Sequence, residues 1–236
     1  MNFAIIAAGE GSRLVQEGIS SPKPLVRLDG KPMIGRLIDI FTDCNAESIS
    51  IIVNEQMTEV RDYLLERQKT SSVPMQITVK STPSSMHSFF EVSRIFPAGS
   101  KFILTTVDTV FRPDEFSRYA RAFEQAGDDI DGYMAVTPFI DDEKPLYIDV
   151  DNDMTITAFT DSPTETTRFI SGGIYGLTTP ALDVLQQCME HGVSRMRNYQ
   201  RALVAAGLKL KAYPFPKIVD VDHAADIATA QTFLDE

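Results

Sequence analysis

The N-terminal segment combines two glycines with polar and basic side chains directly after an apolar stretch. Residues 3–8 are apolar, and Gly9, Gly11, Ser12 and Arg13 follow at once. Because glycine has no Cβ, the backbone N–H groups can approach an anion closely, and the Ser12 hydroxyl and the Arg13 guanidinium can join them around phosphate oxygens. The segment therefore predicts a phosphate-binding loop.

The residues after the glycines separate this loop from two well-known phosphate loops. The dinucleotide-binding fingerprint requires a third small residue where this chain has Leu14, and a helix that opens directly, whereas we expect a polar segment with prolines here. The Walker A loop requires Gly-Lys-Ser/Thr, but Gly30 and Lys31 are followed by Pro32. Neither pattern fits.

Lys23 stands between two prolines. Pro22 and Pro24 fix φ and disfavour a helix, so we expect Lys23 to project from a rigid extended segment. The chain as a whole has a net charge of −11, which argues against nucleic acid or an anionic membrane as its main partner. A small cationic island nevertheless surrounds the loop and comprises Arg13, Lys23, Arg27 and Lys31.

An aspartate ends another candidate for a buried strand. Residues 101–107 are mostly apolar or β-branched, and Asp108 comes directly after them. Functional residues gather at the carboxyl ends of such strands. An ionised carboxylate there is costly unless it is paired or bound to a cation. Asp108 is therefore a candidate cation ligand, and a turn-capping role is the alternative.

Short apolar strands alternate with amphipathic helices along the chain. The first strand, a helix over residues 33–41 and a strand over residues 48–53 form a β-α-β unit. Hairpin chemistry near residues 141–177 predicts an added β excursion that covers the sheet. We predict an α/β fold, a three-layer sandwich with a mostly parallel, Rossmann-like sheet. The length of 236 residues fits one domain, although length alone also allows two small ones.

The two N-terminal motifs resemble the signature of the sugar-phosphate nucleotidyltransferases, which is Gly-x-Gly-(Ser/Thr)-Arg followed by Pro-Lys-Pro-Leu. Residues 9–13 and 22–25 match its two parts. The resemblance implies an enzyme of sugar nucleotide biosynthesis that transfers NMP from an NTP to a sugar 1-phosphate, with Mg²⁺, and releases pyrophosphate. It also implies a single domain over residues 1–236, in which residues 1–140 mainly bind the nucleotide and residues 141–236 mainly bind the acceptor.

The resemblance also assigns roles to individual residues. Arg13 would stabilise the departing pyrophosphate, and Lys23 would neutralise charge at the α-phosphate. Nucleotide binding is expected from the glycine loop and from a serine pair that opens a later helix, where a plain helix N-cap is the alternative reading of the serines. The expected nucleotide-binding residues are Ala7, Ala8, Gly9, Gly11, Ser12, Ser84 and Ser85.

Magnesium ligands follow from the same resemblance. The family carries a metal-binding aspartate at the position of Asp108, although Val107 here replaces the glycine that usually precedes it. Its second metal ligand is the first aspartate of an Asp-x-Asp pair near the C-terminus, which is Asp220 in this chain. Asp222 is kept as a candidate ligand, but a role as N-cap of the closing helix competes for it. Asp220 is therefore preferred.

The acceptor side departs from the family pattern. The family's Glu-Lys-Pro motif, whose lysine neutralises the sugar phosphate, is replaced by Thr-Asp-Ser-Pro at residues 160–163. Arg168 is a candidate substitute, with a solvated surface arginine as the alternative. Gly173 lies in a strand interrupted by two glycines, so we expect it to line the pocket, with a plain β-bulge as the alternative. The missing lysine leaves open a non-sugar phosphomonoester such as phosphocholine, or a non-catalytic nucleotide-binding regulatory subunit.

The two cysteines bear on location. Cys44 and Cys188 lie far apart, and neither belongs to a set of cysteines and histidines large enough to hold a metal ion, which indicates reduced thiols. The first apolar stretch is too short for a signal peptide or a membrane span. We therefore expect a cytoplasmic protein without a membrane partner, and the sequence leaves the oligomeric state open.

Overall fold

The structure, a computed structural model, describes residues 1–97, 99–141 and 143–236. The strands are β1 (Asn2–Ala7), β2 (Arg27–Leu28), β3 (Lys31–Pro32), β4 (Ser48–Val53), β5 (Met75–Val79), β6 (Phe102–Thr106), β7 (Thr109–Val110), β8 (Gly132–Thr137), β9 (Tyr147–Val150), β10 (Ile156–Thr160), β11 (Phe169–Leu177), β12 (Leu210–Pro214) and β13 (Val219–Asp220). The helices are α1 (Ser12–Gln16), α2 (Met33–Asp43), α3 (Thr58–Thr70), α4 (Ser85–Ser93), α5 (Pro113–Glu124), α6 (Thr179–Glu190), α7 (Met196–Ala205) and α8 (Ala224–Asp235).

The central sheet has a parallel half that carries the glycine loop. Strands β6, β1, β4 and β5 lie side by side in this order and run in one direction. Beyond β6 the direction reverses, because β11 is antiparallel to β6, β8 and β9. Strand β12 then joins β8 in parallel. Since β1 and β6 are parallel neighbours, the loop after β1 and Asp108 after β6 leave the sheet at the same edge.

Helices cover both faces of this sheet, because alternate residues of β1 belong to two separate cores. Phe3 and Ile5 pack with apolar side chains of α2, α3 and α5. Ala4 and Ile6 pack with those of α4, α6 and α7 on the other face. Phe3 stacks on Phe41 at 4.7 Å between ring centroids, and full burial of one such side chain contributes roughly 1.5–3 kcal/mol. The predicted α/β sandwich with its Rossmann-like sheet is confirmed.

Three local predictions were wrong. A short helix, α1, begins directly after Gly11, where we expected a non-helical segment. Lys23 begins a 3₁₀ turn over Lys23–Leu25 rather than an extended segment, because a proline is tolerated in the first turn of a helix. The excursion does not cover the sheet: Ile148 of β9 pairs with Phe169 of β11, so β9 and β10 extend the sheet at its edge.

Candidate active site

The glycine loop packs directly against Lys23. Gly11 is the residue before α1 and has φ +63°, a left-handed conformation that favours glycine. A Cβ on Gly11 would lie 2.8 Å from the Cβ of Lys23. The loop therefore fixes where the lysine side chain begins, and the sequence requirement for glycine at this position is steric as well as conformational.

A two-stranded ribbon brings the C-terminal aspartates to Asp108. In this ribbon β13 pairs with β7, so that Asp220 lies opposite Thr109. The N–H of Val221 also donates to the carbonyl of Asp108 at 3.1 Å. One carboxylate oxygen from each of Asp108, Asp220 and Asp222 lies within 4.8 Å of the others. The two segments, more than a hundred residues apart in the chain, thus form one acidic cluster.

Lys23 lies inside this acidic cluster. Its Nζ is 2.6 Å from Asp108 Oδ2 and 2.6 Å from Asp222 Oδ1. Arg13 Nη1 donates to the other oxygen of Asp222 at 2.7 Å. The lysine is 8% exposed, contrary to the projecting side chain that we expected. An ion pair can offset part of the cost of removing an ammonium from water.

The charged groups in the cluster shift one another's pKa values. Burial disfavours the charged form of Lys23, but Asp108, Asp220 and Asp222 outweigh it and raise the lysine's pKa above its usual range. Burial would likewise raise the pKa of Asp108, but Lys23 and a hydrogen bond from Thr106 hold that pKa below its usual value. The carboxylate and the ammonium therefore both stay charged at neutral pH.

Asp222 is not the N-cap of the closing helix, and this removes our reason for preferring Asp220. The N-cap of α8 is His223, which forms a capping box with Asp226. The N–H groups of Asp222 and His223 both donate to Asp226 Oδ2. Glu17 completes the cap, since it accepts a hydrogen bond from the N–H of Ala224 and contacts His223 Nδ1, each at 2.6 Å. The side chain of Asp222 is thereby left to face Lys23 and Arg13.

The acidic cluster has a donor set that fits Mg²⁺. Carboxylate oxygens are the hard ligands that this ion prefers, and Mg²⁺ is typically held by one or two carboxylates together with substrate phosphates. The oxygens of Asp108, Asp220 and Asp222 are close enough together to share one ion. A positive group, the ammonium of Lys23, already lies among them. Asp220 also has a partner among the described residues.

A cleft of about 710 Å³ opens on the loop side of the cluster. It is lined by most of the predicted nucleotide-binding residues, together with Arg13, Lys23, Asp108 and Asp222. The predicted residues on its wall are Ala8, Gly9, Gly11, Ser12, Ser84 and Ser85. Ala7 is 1% exposed within β1 and lies behind the wall. The sequence did not point to Asn54, whose amide reaches the carbonyl of Ala8 at 3.3 Å and supports the loop from β4.

Ser84 connects the start of α4 to the start of α7 through its side chain. Its Oγ accepts a hydrogen bond from the N–H of Arg195 at 3.2 Å and lies 2.8 Å from His87 Nδ1. Ser84 is also the N-cap residue of α4 by position, without a side-chain cap bond. The hydroxyl therefore joins the start of α4 to the start of α7. Ser84 is thus the N-cap by position and also lines the larger cleft, where its role in nucleotide binding stays a prediction.

A second cleft, of about 350 Å³, adjoins the first. Ser85, Thr106 and Asp108 line both clefts, so Asp108 lies at their junction. Gly173 and Asp220 line only the second cleft of the two. The structure does not bring Arg168 to the site, because this residue is exposed just before β11 and lines neither cleft.

Gly173 combines both roles that the sequence left open. It has φ +73°, and the pairing of β11 with β8 shifts register between Ser171 and Tyr175, which marks an irregular strand. A Cβ on Gly173 would collide with the hydroxyl oxygen of Thr109. The bulge thus lets β11 approach the turn after β6 and form the wall of the second cleft.

Two arginines that we did not select from the sequence line the second cleft. Arg197 is held by Asp161 Oδ1 at 2.7 Å and by the carbonyl of Lys144 at 2.8 Å. Arg195 is exposed, and its guanidinium has no hydrogen bond or ion pair within the described ranges. Basic residues at a helix N-terminus oppose the helix dipole. Two arginines at the start of a helix were therefore the signal in the sequence that could have pointed to this cleft, because the helix dipole disfavours basic residues there.

The family model described as nucleotidyl transferase matches residues 4–236. The chain belongs to the nucleotidyl transferase family. This confirms the family and the class of enzyme predicted from the sequence.

Two solved structures share the fold over 99% of this chain. The inositol-1-phosphate CTP transferase from T. maritima superposes with a TM-score of 0.79 at 16% identity, covering 97% of that chain. A Bacillus anthracis structure described as a glucose-1-phosphate thymidylyltransferase gives 0.83 at 17% identity, covering 94% of that chain. At these identities the likeness establishes the fold alone.

Curated relatives match more weakly. The bifunctional protein GlmU of Methanococcus maripaludis is 24% identical over 98% of this chain and 53% of its own length. The 2-aminoethylphosphonate cytidylyltransferase of Lancefieldella rimae is 30% identical over 43% of this chain and 41% of its own. The matches therefore span about half the length of the first relative and less than half of the second. No helix within the described residues is long and apolar enough to cross a membrane.

Proposed function

We propose that this protein transfers NMP from an NTP to a phosphomonoester, with release of pyrophosphate and with Mg²⁺ as cofactor. The observation that carries the proposal is the junction of the two clefts. Asp108 lines both of them, and Lys23 lies 2.6 Å from it on the wall of the larger one. A nucleotide in the larger cleft and an acceptor in the smaller one would meet beside a buried lysine and three carboxylates.

The residues of the two clefts supply binding and charge rather than acid–base chemistry. The acceptor phosphate is already an anion near neutral pH, since its second pKa is about 6, so no general base is required. The barrier lies in bringing that anion to an anionic α-phosphate, which positioning and fixed cations lower. Lys23 would neutralise the α-phosphate and Arg13 the departing pyrophosphate. Mg²⁺, held by Asp108 together with Asp220 or Asp222, would supply Lewis-acid stabilisation of the phosphate oxygens.

The acceptor cleft contains a cation that could replace the family's missing lysine. Arg195 lines the same cleft as Asp108 and Gly173, and its guanidinium has no partner among the residues that the structure describes. A guanidinium binds the oxygens of a phosphate or phosphonate in a bidentate manner. We therefore assign the anionic group of the acceptor to Arg195 instead of Arg168. A sugar 1-phosphate is the leading candidate, in keeping with the resemblance of the N-terminal motifs.

A non-sugar acceptor is the second candidate. It is favoured by the absent Glu-Lys-Pro lysine and by the partial match to a relative whose name specifies 2-aminoethylphosphonate. Asp141 also lines the acceptor cleft, and a carboxylate there suits an acceptor that carries an ammonium. The two candidates differ in the charge at the far end of the acceptor.

The experiment is a measurement of pyrophosphate release for each of the four NTPs against glucose 1-phosphate, phosphocholine and 2-aminoethylphosphonate, with Mg²⁺. We expect release that requires both substrates and that EDTA abolishes. Arg195→Gln should raise the KM for the acceptor with little change in the KM for the NTP, while the matched variant Arg168→Gln should behave as wild type. Tight NTP binding without pyrophosphate release for any pair would favour the non-catalytic nucleotide-binding subunit instead.

A further inference from the structure

The position of Lys23 raises a question about how the acidic cluster receives a metal ion. The ammonium of Lys23 lies 2.6 Å from a carboxylate oxygen of Asp108 and 2.6 Å from one of Asp222. These are two of the three side chains whose oxygens could share one ion. The lysine therefore contacts two of the three carboxylates that a divalent cation would use.

An ammonium and a dication cannot both lie among these carboxylates without a large cost. Like charges a few ångströms apart repel strongly even at the effective dielectric of a protein surface. The side chain of Lys23 is 9% exposed, so water screens this repulsion poorly. Without any cation the three carboxylates would repel one another instead. Arg13 occupies only the outer oxygen of Asp222, so the oxygens of Asp108 and Asp222 that hold Lys23 favour either the ammonium or a dication.

The larger cleft offers an alternative position for the ammonium of Lys23. The lysine lines the larger cleft together with Gly11, Ser12 and Arg13 of the phosphate loop. Its stem is long and flexible, and its ammonium is a point charge that can bind either a carboxylate or a phosphate oxygen. A nucleotide phosphate in this cleft would offer the ammonium an anionic partner outside the acidic cluster.

We propose that Lys23 is an exchangeable counter-ion, which holds Asp108 and Asp222 in the metal-free protein and leaves them when a divalent cation binds. The inference rests on the proposed function for the identity of the cation and of the nucleotide site. It makes Lys23 a competitor of the metal in the free protein and a ligand of the nucleotide once the metal has taken the carboxylates. Metal binding and nucleotide binding are then positively coupled through one side chain.

The test is the affinity of the free protein for Mn²⁺, measured by electron paramagnetic resonance without nucleotide. Lys23→Met should bind Mn²⁺ at least tenfold more tightly than wild type, which corresponds to about 1.4 kcal/mol. Lys31→Met is the matched control, because Lys31 comes from the same segment and pairs with Asp39 at 3.1 Å on the surface. Its Mn²⁺ affinity should stay within about twofold of wild type. Equal or weaker binding by Lys23→Met would overturn the proposal.

A second measurement uses only the wild-type protein, in case Lys23→Met does not fold. In protein with ¹⁵N-labelled lysine, the ammonium of Lys23 should give a protected proton signal because two carboxylates hold it. Titration with Mg²⁺ should shift or remove this signal, and a signal unchanged at saturating Mg²⁺ refutes the exchange.

Asp108→Asn separates this inference from the proposed function. If Asp108→Asn leaves Mn²⁺ binding unchanged, the metal site assigned to the cluster is wrong. If it weakens Mn²⁺ binding while Lys23→Met does not strengthen it, the metal site stands and only the exchange is wrong.

Discussion

Replacing Gly11 with alanine is the smallest change that tests how the phosphate loop is built. Gly11 has φ +63° and ψ +29°, and the new methyl group would lie 2.8 Å from the Cβ of Lys23. This distance is shorter than ordinary carbon–carbon contact, which begins near 3.5 Å. Lys23 cannot move away freely, because both ends of its side chain are fixed by the loop and by the carboxylates of Asp108 and Asp222.

The expected loss of stability follows from these two costs. A residue with a Cβ in the left-handed region costs about 1–2 kcal/mol, and overpacking by one methyl group costs about 1–3 kcal/mol. The smaller entropy of the unfolded alanine chain returns about 0.4–1 kcal/mol. We therefore expect Gly11→Ala to lower the free energy of unfolding by about 1–4.5 kcal/mol. For a chain of this size that is a decrease in Tm of roughly 2–18 °C.

Gly9→Ala is the matched control from the same loop. No atom lies within 4 Å of a Cβ placed on Gly9, and its φ is not in the left-handed region. Its stability in urea denaturation should therefore equal that of wild type within about 0.5 kcal/mol. Both variants should bind NTP more weakly in calorimetry, because both place a methyl group on the wall where backbone should contact phosphate. A Gly11→Ala protein as stable as Gly9→Ala would show that the contact with Lys23 is not enforced.

Three further perturbations address other parts of the site. Asp108→Asn and Asp220→Asn should each lower kcat/KM by about 100-fold or more and raise the Mg²⁺ concentration that activity requires. The double variant should be little worse than either single variant, because ligands of one ion act as a unit. Multiplicative losses in the double variant would contradict a shared ion. Ser84→Ala should raise the acceptor KM more than the NTP KM, because it removes the hydroxyl that orders the start of α7; equal effects on both would contradict this. The hydrogen bond that His223 donates to the Glu17 carboxylate raises the pKa of His223, so this pair should stabilise the fold below about pH 6.5 and lose its effect as pH rises through the raised value. Unfolding curves of Glu17→Gln between pH 6 and 9 should lack that loss, and an unchanged pH dependence would refute the pairing.

The sequence predicted those features that depend on local pattern. Asp108 was selected because a carboxylate at the end of a buried strand is costly unless it is paired or bound to a cation. Parallel neighbouring strands also bring their carboxyl ends to one edge of the sheet. The glycine loop was found because residues 9–13 carry the composition of an anion site. The choice of Asp108 assumed a mostly parallel sheet, and the fold confirms that β1 and β6 are parallel neighbours.

The features that were missed depend on contacts between distant parts of the chain. Lys23 was expected to project from an extended segment because prolines flank it, but its side chain is buried against Asp108 and Asp222, which lie 85 and 199 residues further on. Asp222 was ranked below Asp220 as a metal ligand because a helix N-cap competed for it, but His223 provides that cap, and one residue of uncertainty at a helix start decides which side chain is free. Arg195 reaches the acceptor cleft only through the packing of α7, which periodicity alone does not specify.

The net negative charge of the protein is compatible with the proposed polyanionic substrates, because acidic side chains in the cleft pair with its basic side chains. In the free protein, Asp108 and Asp222 accept the charges of Lys23 and Arg13, so the nucleotide cleft presents no large positive field to anions in general. Under the proposed function, a nucleotide that arrives with a divalent cation would change this balance, because the carboxylates would then face the metal and both basic side chains would be released toward phosphate. Electrostatic attraction would then favour the metal-bound nucleotide, which a permanently basic cleft could not achieve.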